Sequence, residues 1–256
     1  MTDFSEIHYR RNYLDKVLVR VDLVNPMADI ESNFPAEIGK IIKPLFPISE
    51  PQKAFHGEIR IMPNEKPVAV ETEFTQWTFH GLSREKTLIF TPAFIVFTYN
   101  KYESYGSVRE EFDKIFTSVF KYFQDLQPQR LGLRYINKIK IDSKDPLDWK
   151  GFIKSELWST IYFSSQPECI SRVFHNIEHN YGDYNLRFQF GIHNTDYPQP
   201  IRKKEFVLDY DAYSKILTDP KEIVSIFDRF HSAIQTYFEK SITEKLRRRM
   251  NARRTN

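Results

Sequence analysis

Arg130-Leu131-Gly132-Leu133-Arg134-Tyr135-Ile136-Asn137-Lys138-Ile139-Lys140-Ile141 lies at mid-chain, directly after a segment of helical periodicity. Leu131, Leu133, Tyr135, Ile139 and Ile141 fall on one face of an extended chain, and Arg130, Arg134, Lys138 and Lys140 on the other. Alternation sustained over a dozen residues is the period-2 signature of a strand with one buried and one solvated face. Gly132 inside such a strand signals a bulge or a close neighbour.

Outward from this strand, the first half reads as one unit. Asp15–Val24 alternates, with Val17, Val19, Val21 and Leu23 on one face and Arg20 and Asp22 on the other. Ile30–Leu45 has near-helical apolar spacing, with Pro35 in its first turn. Three strand-like runs follow, Ala54–Met62, Val70–Leu82 and Lys86–Tyr99, with turns at Pro63-Asn64 and Ser83-Arg84 and a break or bulge at Pro92. A strong helix then starts at Ser107, three residues before Glu110. Its stripe is Phe112, Ile115, Phe116, Val119, Phe120 and Phe123, and Gln127-Pro128 stops it.

The second half follows the same plan. After Arg130–Ile141 come a helical segment at residues 146–163, strands Ile170–His179 and Tyr184–His193, a strand Lys203–Tyr210, and a long helix opened by Asp219-Pro220. Residue matches accompany the outline. Phe112-Asp113-Lys114 parallels Phe227-Asp228-Arg229, and Tyr122-Phe123-Gln124 parallels Tyr237-Phe238-Glu239, both 115 residues apart. Val17–Val21 parallels Leu131–Tyr135 at 114. The expectation is an α+β protein of two β-α-β-β-β-α halves, 1–128 and 129–256, packed as one unit. The sheet is expected to be mostly antiparallel, with long helices on one face, in TBP-like or helix-grip-like element order.

The GLRYIN-containing strand, Asn12-Tyr13-Leu14 before a Val-rich strand, and Phe238-Glu239-Lys240-Ser241-Ile242-Thr243 in a terminal helix together resemble a sporadically distributed prokaryotic family of cytoplasmic proteins of this length. The resemblance covers nearly the whole chain. It implies no substrate, cofactor or catalytic residue. The scattered distribution suggests a component of a multi-gene system of the phage-defence type.

Composition narrows the function classes. The 256 residues are 41% hydrophobic and 15% aromatic, too rich for a disordered chain. No apolar run is long enough for a membrane helix, and the start MTDFSEIHYRRNYL has no signal-peptide core, so a cytoplasmic protein without membrane contact is expected. A single cysteine, Cys169, excludes an internal disulfide and a multi-thiolate metal site. It reads as a small buried hydrophobe rather than a nucleophile. There is no Walker or dinucleotide motif and no GxSxG elbow. His175 and His179, on a strand, would stand about 13 Å apart, too far for one ion. Asp209 and Asp211, like Glu71 and Glu73, read as solvated acids. No cofactor or metal is expected.

Two basic sets remain. Arg20, Arg134, Lys138 and Arg187 would share an open sheet face, with Trp77, Tyr99 and Tyr102 in neighbouring elements; phosphates and stacked bases are bound by such groups. Arg247, Arg248 and Arg249 belong to a basic tail, 245–254, that carries +6 of a chain whose net charge is +3. The rest of the chain is therefore mildly acidic. The favoured function is a non-catalytic binding or interaction protein, with a protein partner or self-association. The alternative is nucleic-acid binding by the basic face and tail, and the third reading is a hydrolase or nuclease without a recognisable motif.

Overall fold

A computed structural model describes residues 7–60 and 68–254. Its strands are β1 (Ile7–Tyr9), β2 (Leu14–Leu23), β3 (Ile48–Arg60), β4 (Val68–His80), β5 (Lys86–Phe90), β6 (Phe94–Tyr99), β7 (Pro128–Lys140), β8 (Val173–Asn180), β9 (Asn185–Ile192), β10 (Glu205–Ser214) and β11 (Ala252–Arg254). Helices α1 (Ala36–Ile42), α2 (Tyr105–Tyr122), α3 (Ile223–Ser241) and α4 (Glu244–Arg249) lie between them. Nine strands form one antiparallel sheet in the order β3-β4-β5-β6-β2-β7-β10-β9-β8, and β1 pairs with β11 apart from it. The architecture is α+β. The expected turn at Pro63-Asn64 and the strand end at Met62 lie outside the described residues.

The alternation in the two central strands does the sorting. Val17, Val19 and Val21 of β2 and Leu131 and Leu133 of β7 are fully buried beneath the helices, while Arg20 and Arg134 point to the other face. At about 25 cal/mol per Å² of apolar surface, each buried aliphatic side chain contributes about 1.5–3 kcal/mol. The helices supply aromatic stripes from above. Phe112 of α2 meets Phe227 of α3 with ring centroids 5.3 Å apart, and Phe116 meets Phe97 of β6 at 5.3 Å. The same face also takes Trp149, which lies 5.2 Å from Phe206 of β10.

Four elements differ from the sequence reading. The first helix is only Ala36–Ile42, because Pro35 is its N-cap and a separate 3₁₀ turn holds Ala28–Glu31. Helix α2 is capped by Ser104 rather than Ser107: the extended Ser104 accepts a hydrogen bond from the Ser107 backbone at 3.2 Å. Strand β3 begins at Ile48 rather than Ala54, whereas the Lys86–Tyr99 run divides near Pro92 as read, where Thr91 Oγ1 accepts from the Phe94 backbone. The 146–163 segment forms 3₁₀ turns, not an α-helix; Trp149, Trp158 and Ile161 are buried, but their spacing is met by short turns pinned to the core. The expected β-α-β-β-β-α order is therefore met only at the coarser level.

The basic tail is also a folded element. Thr243 caps α4, Leu246 and Met250 are buried, and β11 pairs with β1. Apolar anchors hold it to the body, so it does not end as a solvated extension of the last helix.

At Gly191 the backbone of β8 comes close to β9. Its φ is +140°, and a Cβ there would stand 2.2 Å from the Val173 carbonyl oxygen. Gly191→Ala is therefore expected to destabilise the protein by about 2–3 kcal/mol, through strain and overpacking, and to open β8 first. Hydrogen exchange on β8 and thermal melting check this; unchanged protection of Val173–Asn180 would contradict it.

Candidate functional site

The helix-free face of β2, β6, β7, β10 and β9 holds a polar concavity. Its floor is Leu18, Val96 and Gly132, and its walls include Arg20, Asp22, Arg130, Arg134, Arg187 and Asp211. Register brings these together. Arg134 of β7 lies between Leu18 of β2 and Asp211 of β10, and Asp211 lies opposite Arg187 of β9. One rung away, Arg20 faces Gly132. A Cβ on Gly132 would sit 3.1 Å from the Arg130 guanidinium, so the missing side chain gives that group its place.

Arg20, Arg134, Lys138 and Arg187 thus share one face, as the alternation requires. The face is not a basic patch. Arg134 forms a two-point pair with Asp209, Nε to Oδ1 at 2.8 Å and Nη2 to Oδ2 at 2.6 Å. Arg187 bonds Asp211 at 2.6 Å, and Arg20 bonds Asp22 at 2.6 Å. Lys138 pairs with Asp15 at 2.9 Å, Lys140 with Glu205 at 3.1 Å, and Arg130 with Asp22 at 3.4 Å. Hydrogen bonding to Asp209 raises Arg134 above its ordinary pKa and outweighs the lowering by burial. Asp209 and Asp211 are themselves only 4% and 7% exposed. The reading of these two as solvated acids is corrected: they lie under the guanidinium groups, where a neighbouring strand supplies the counter-charge.

Arginine planes also cover the aromatic rings of this face. Arg20 stands 4.2 Å over Phe94, and Arg130 stands 5.4 Å over Tyr213. Trp77, Tyr99 and Tyr102 do not belong to it. Trp77 donates its indole N–H to the Ile30 carbonyl, Tyr99 is buried, and Tyr102 packs against Tyr135 on the helix side. The parity of Trp77 in β4 and Tyr99 in β6 is that of the core residues Phe79 and Phe97, so neither can face the arginines.

Arg134→Ala would leave the Asp209 carboxylate buried without its cation. A loss of about 2 kcal/mol is expected, with little recovery by Arg134→Lys, which cannot make the two-point pair. Urea unfolding midpoints measure this; a loss below about 0.5 kcal/mol would show the pair to be solvent-screened.

The other basic set lies on α4. Arg247 turns inward to Glu239, at 2.7 Å from Nε to Oε2. Arg248 is exposed and pairs only with Glu244, at 3.4 Å, among the ion pairs of described residues. Arg249 donates to the Tyr13 hydroxyl at 3.1 Å. The side chains of Arg253 and Arg254 lie outside the described part.

A second concavity had no sequence signal. Tyr9, Tyr102, Tyr105, Tyr135, Asn137 and His231 line a crevice of about 70 Å³ beneath β1. Tyr135 and His231 Nδ1 are 3.0 Å apart, and Tyr105 stacks on His231 at 3.9 Å and donates to Asp228 at 2.8 Å. Burial pushes Tyr102 up to about 12. The crevice is large enough to hold ordered water. Its residues come from four distant segments, so no spacing could announce it.

Cys169 is exposed, at the end of the 3₁₀ turn Pro167–Cys169, which corrects its reading as a buried hydrophobe. His175 and His179 lie on β8; His175 is 3.0 Å from the Thr160 hydroxyl, and His179 stacks on Tyr181. Among the described residues, no group of three or more His, Cys, Asp or Glu side chains converges as a metal site. Among them, too, no helix is long and apolar enough to cross a membrane. Comparison with protein-family models and with curated proteins gives no match.

Proposed function

We propose that this is a non-catalytic binding protein whose working surface is the open sheet face, and that its partner is another protein rather than a nucleic acid. The observation that carries this reading is the pairing of the cations around the central strands with carboxylates. A polyanion gains affinity by releasing counterions from unneutralised phosphates onto free cations. Here six cations already share five carboxylates, and Asp22 and Asp211 beside them would repel phosphate. A protein surface of alternating charge, with a small apolar patch to meet Leu18 and Val96, fits both signs at once. Such a subunit suits a multi-gene assembly.

The second reading, nucleic-acid binding, rests on α4, where Arg248 is 80% exposed at its side chain. One experiment separates the two. Anisotropy with single- and double-stranded oligonucleotides is expected to show no salt-dependent binding beyond a weak association that Arg248→Glu abolishes. Affinity purification from the native host is expected to yield a stoichiometric protein that Leu18→Glu releases. Tight, steeply salt-dependent binding abolished by Arg134→Ala, or a partner indifferent to Leu18→Glu, would overturn the proposal.

We also propose that the halves 1–128 and 129–256 derive from one duplicated unit. Val19 pairs with Leu133, its counterpart 114 residues on, at the centre of the sheet. Phe112 touches Phe227, its counterpart 115 residues on, above that centre. Strands β6 and β10 flank the central pair on either side, and β5 and β9 follow. These pairings support a local two-fold axis through the β2–β7 pair, the arrangement that TBP-like element order implies.

A further inference from the structure

The two ends of the nine-stranded sheet are built differently. At one end, β3 has Pro51 within it and carries Glu50 and Lys53, with Lys53 paired to Glu73 at 2.8 Å. Proline and charge on an edge strand block the approach of another strand. At the other end, β8 reads Val-Phe-His-Asn-Ile-Glu-His-Asn. It has no proline, no lysine and a single carboxylate, and among the described residues no strand pairs with its outer edge. Phe174, on its open-face side, is 46% exposed, and Ile177, on its helix side, is 42% exposed. Exposed Phe163, Tyr181 and Tyr197 belong to the segments around it.

We infer that β8 is a dimerisation edge and that its occupant is β8 of a second copy of this chain, paired antiparallel about a two-fold axis. Such an axis stands perpendicular to the sheet and keeps each face on its own side, so only residues of the same face can be opposed. With the axis at Ile177, Ile177 meets its own copy and His175 meets the other copy's His179 on the helix side. On the open side, Asn176 meets the other copy's Glu178, an amide donor facing a carboxylate. No two carboxylates and no lysine or arginine are opposed, the exposed isoleucine is covered, and the outward backbone groups of the edge are paired. The sheet then runs unbroken from one copy into the other. The inference concerns the sheet's edge and does not rest on the partner proposed for its face.

The test uses the full chain. Light scattering or sedimentation is expected to show twice the 30.6 kDa chain mass at micromolar concentration. Ile177→Lys is expected to weaken dimerisation at least about tenfold while leaving the melting temperature of the monomer unchanged, since the side chain is already partly exposed. In a Cys169→Ser background, Ile177→Cys is expected to cross-link through a short bismaleimide, whereas Leu82→Cys, exposed in the other half, is not. A wild-type chain that remains monomeric at about 100 μM, the behaviour of a β8 that takes a foreign strand instead, would overturn the inference. So would a dimer unaffected by Ile177→Lys, or one that cross-links at position 82 but not at 177.

Discussion

Between pH 10 and pH 12 this protein is expected to unfold cooperatively, with tyrosine ionisation arriving together with the loss of structure rather than before it. Tyr99, Tyr135 and Tyr210 are buried in the core, and desolvation holds each well above the usual tyrosine pKa. Tyr9 and Tyr105 are raised first by burial and then by the carboxylates that accept their hydroxyls, Glu239 and Asp228. A raised pKa in the folded state means that the unfolded chain loses these protons first. The stability contribution is complete below the unfolded value, about 10, and is lost as pH rises above it. Each such tyrosine removes about 1.4 kcal/mol per pH unit in that window. The three in the core together remove about 8 kcal/mol over about two pH units, within the range of a typical domain's total stability, about 5–15 kcal/mol. Circular dichroism and tyrosinate absorbance, followed together, check this. A full tyrosinate signal over intact secondary structure would contradict it.

Arg247→Ala is expected to have the largest effect of any single charge deletion. The Glu239 side chain is fully buried, at 0% exposure, and is held by Arg247 at 2.7 Å, the Tyr9 hydroxyl at 2.5 Å and Gln235 at 3.1 Å. Arg247 also donates to the Glu239 backbone carbonyl. Removing the guanidinium leaves a buried carboxylate without its counter-charge, at a cost of about 3–5 kcal/mol. For a chain of this size that corresponds to a fall in melting temperature of about 10 °C. Glu239→Gln in the same chain should restore part of the loss, because a neutral amide needs no cation. Arg248→Ala, one residue away and exposed, is expected to change stability by less than about 0.5 kcal/mol. Equal effects at the two arginines would contradict the burial argument. The pair also ties α4 and β1 to α3, so both chain ends should loosen together in Arg247→Ala.

Much of the secondary structure was legible because its signals are local. Val17-x-Val19-x-Val21 and Leu131-x-Leu133-x-Tyr135 fix which side chains share a face whatever lies beside them. Asp219-Pro220 fixes the start of the 3₁₀ turn that opens the last long helix: the carboxylate accepts the Lys221 backbone at 2.9 Å. The segment at residues 146–163 misled because apolar residues three apart, such as Trp149 and Phe152, can equally be served by turns pressed on a core. Tyr102 misled because the alternation of β6 ends at Tyr99, so parity no longer assigned it a face.

The sequence by itself determined an α+β chain, the faces of its central strands, and the placement of Arg20, Arg134, Lys138 and Arg187 on one side. Only the tertiary structure decided their chemistry. Asp209 and Asp211 lie 75 and 24 residues from the arginines they neutralise. The register of β10 between β7 and β9 makes those pairs, and register is a property of two strands at once. Side-chain periodicity is written into each strand alone, whereas counter-charge, burial and an unguarded edge depend on which strand becomes its neighbour.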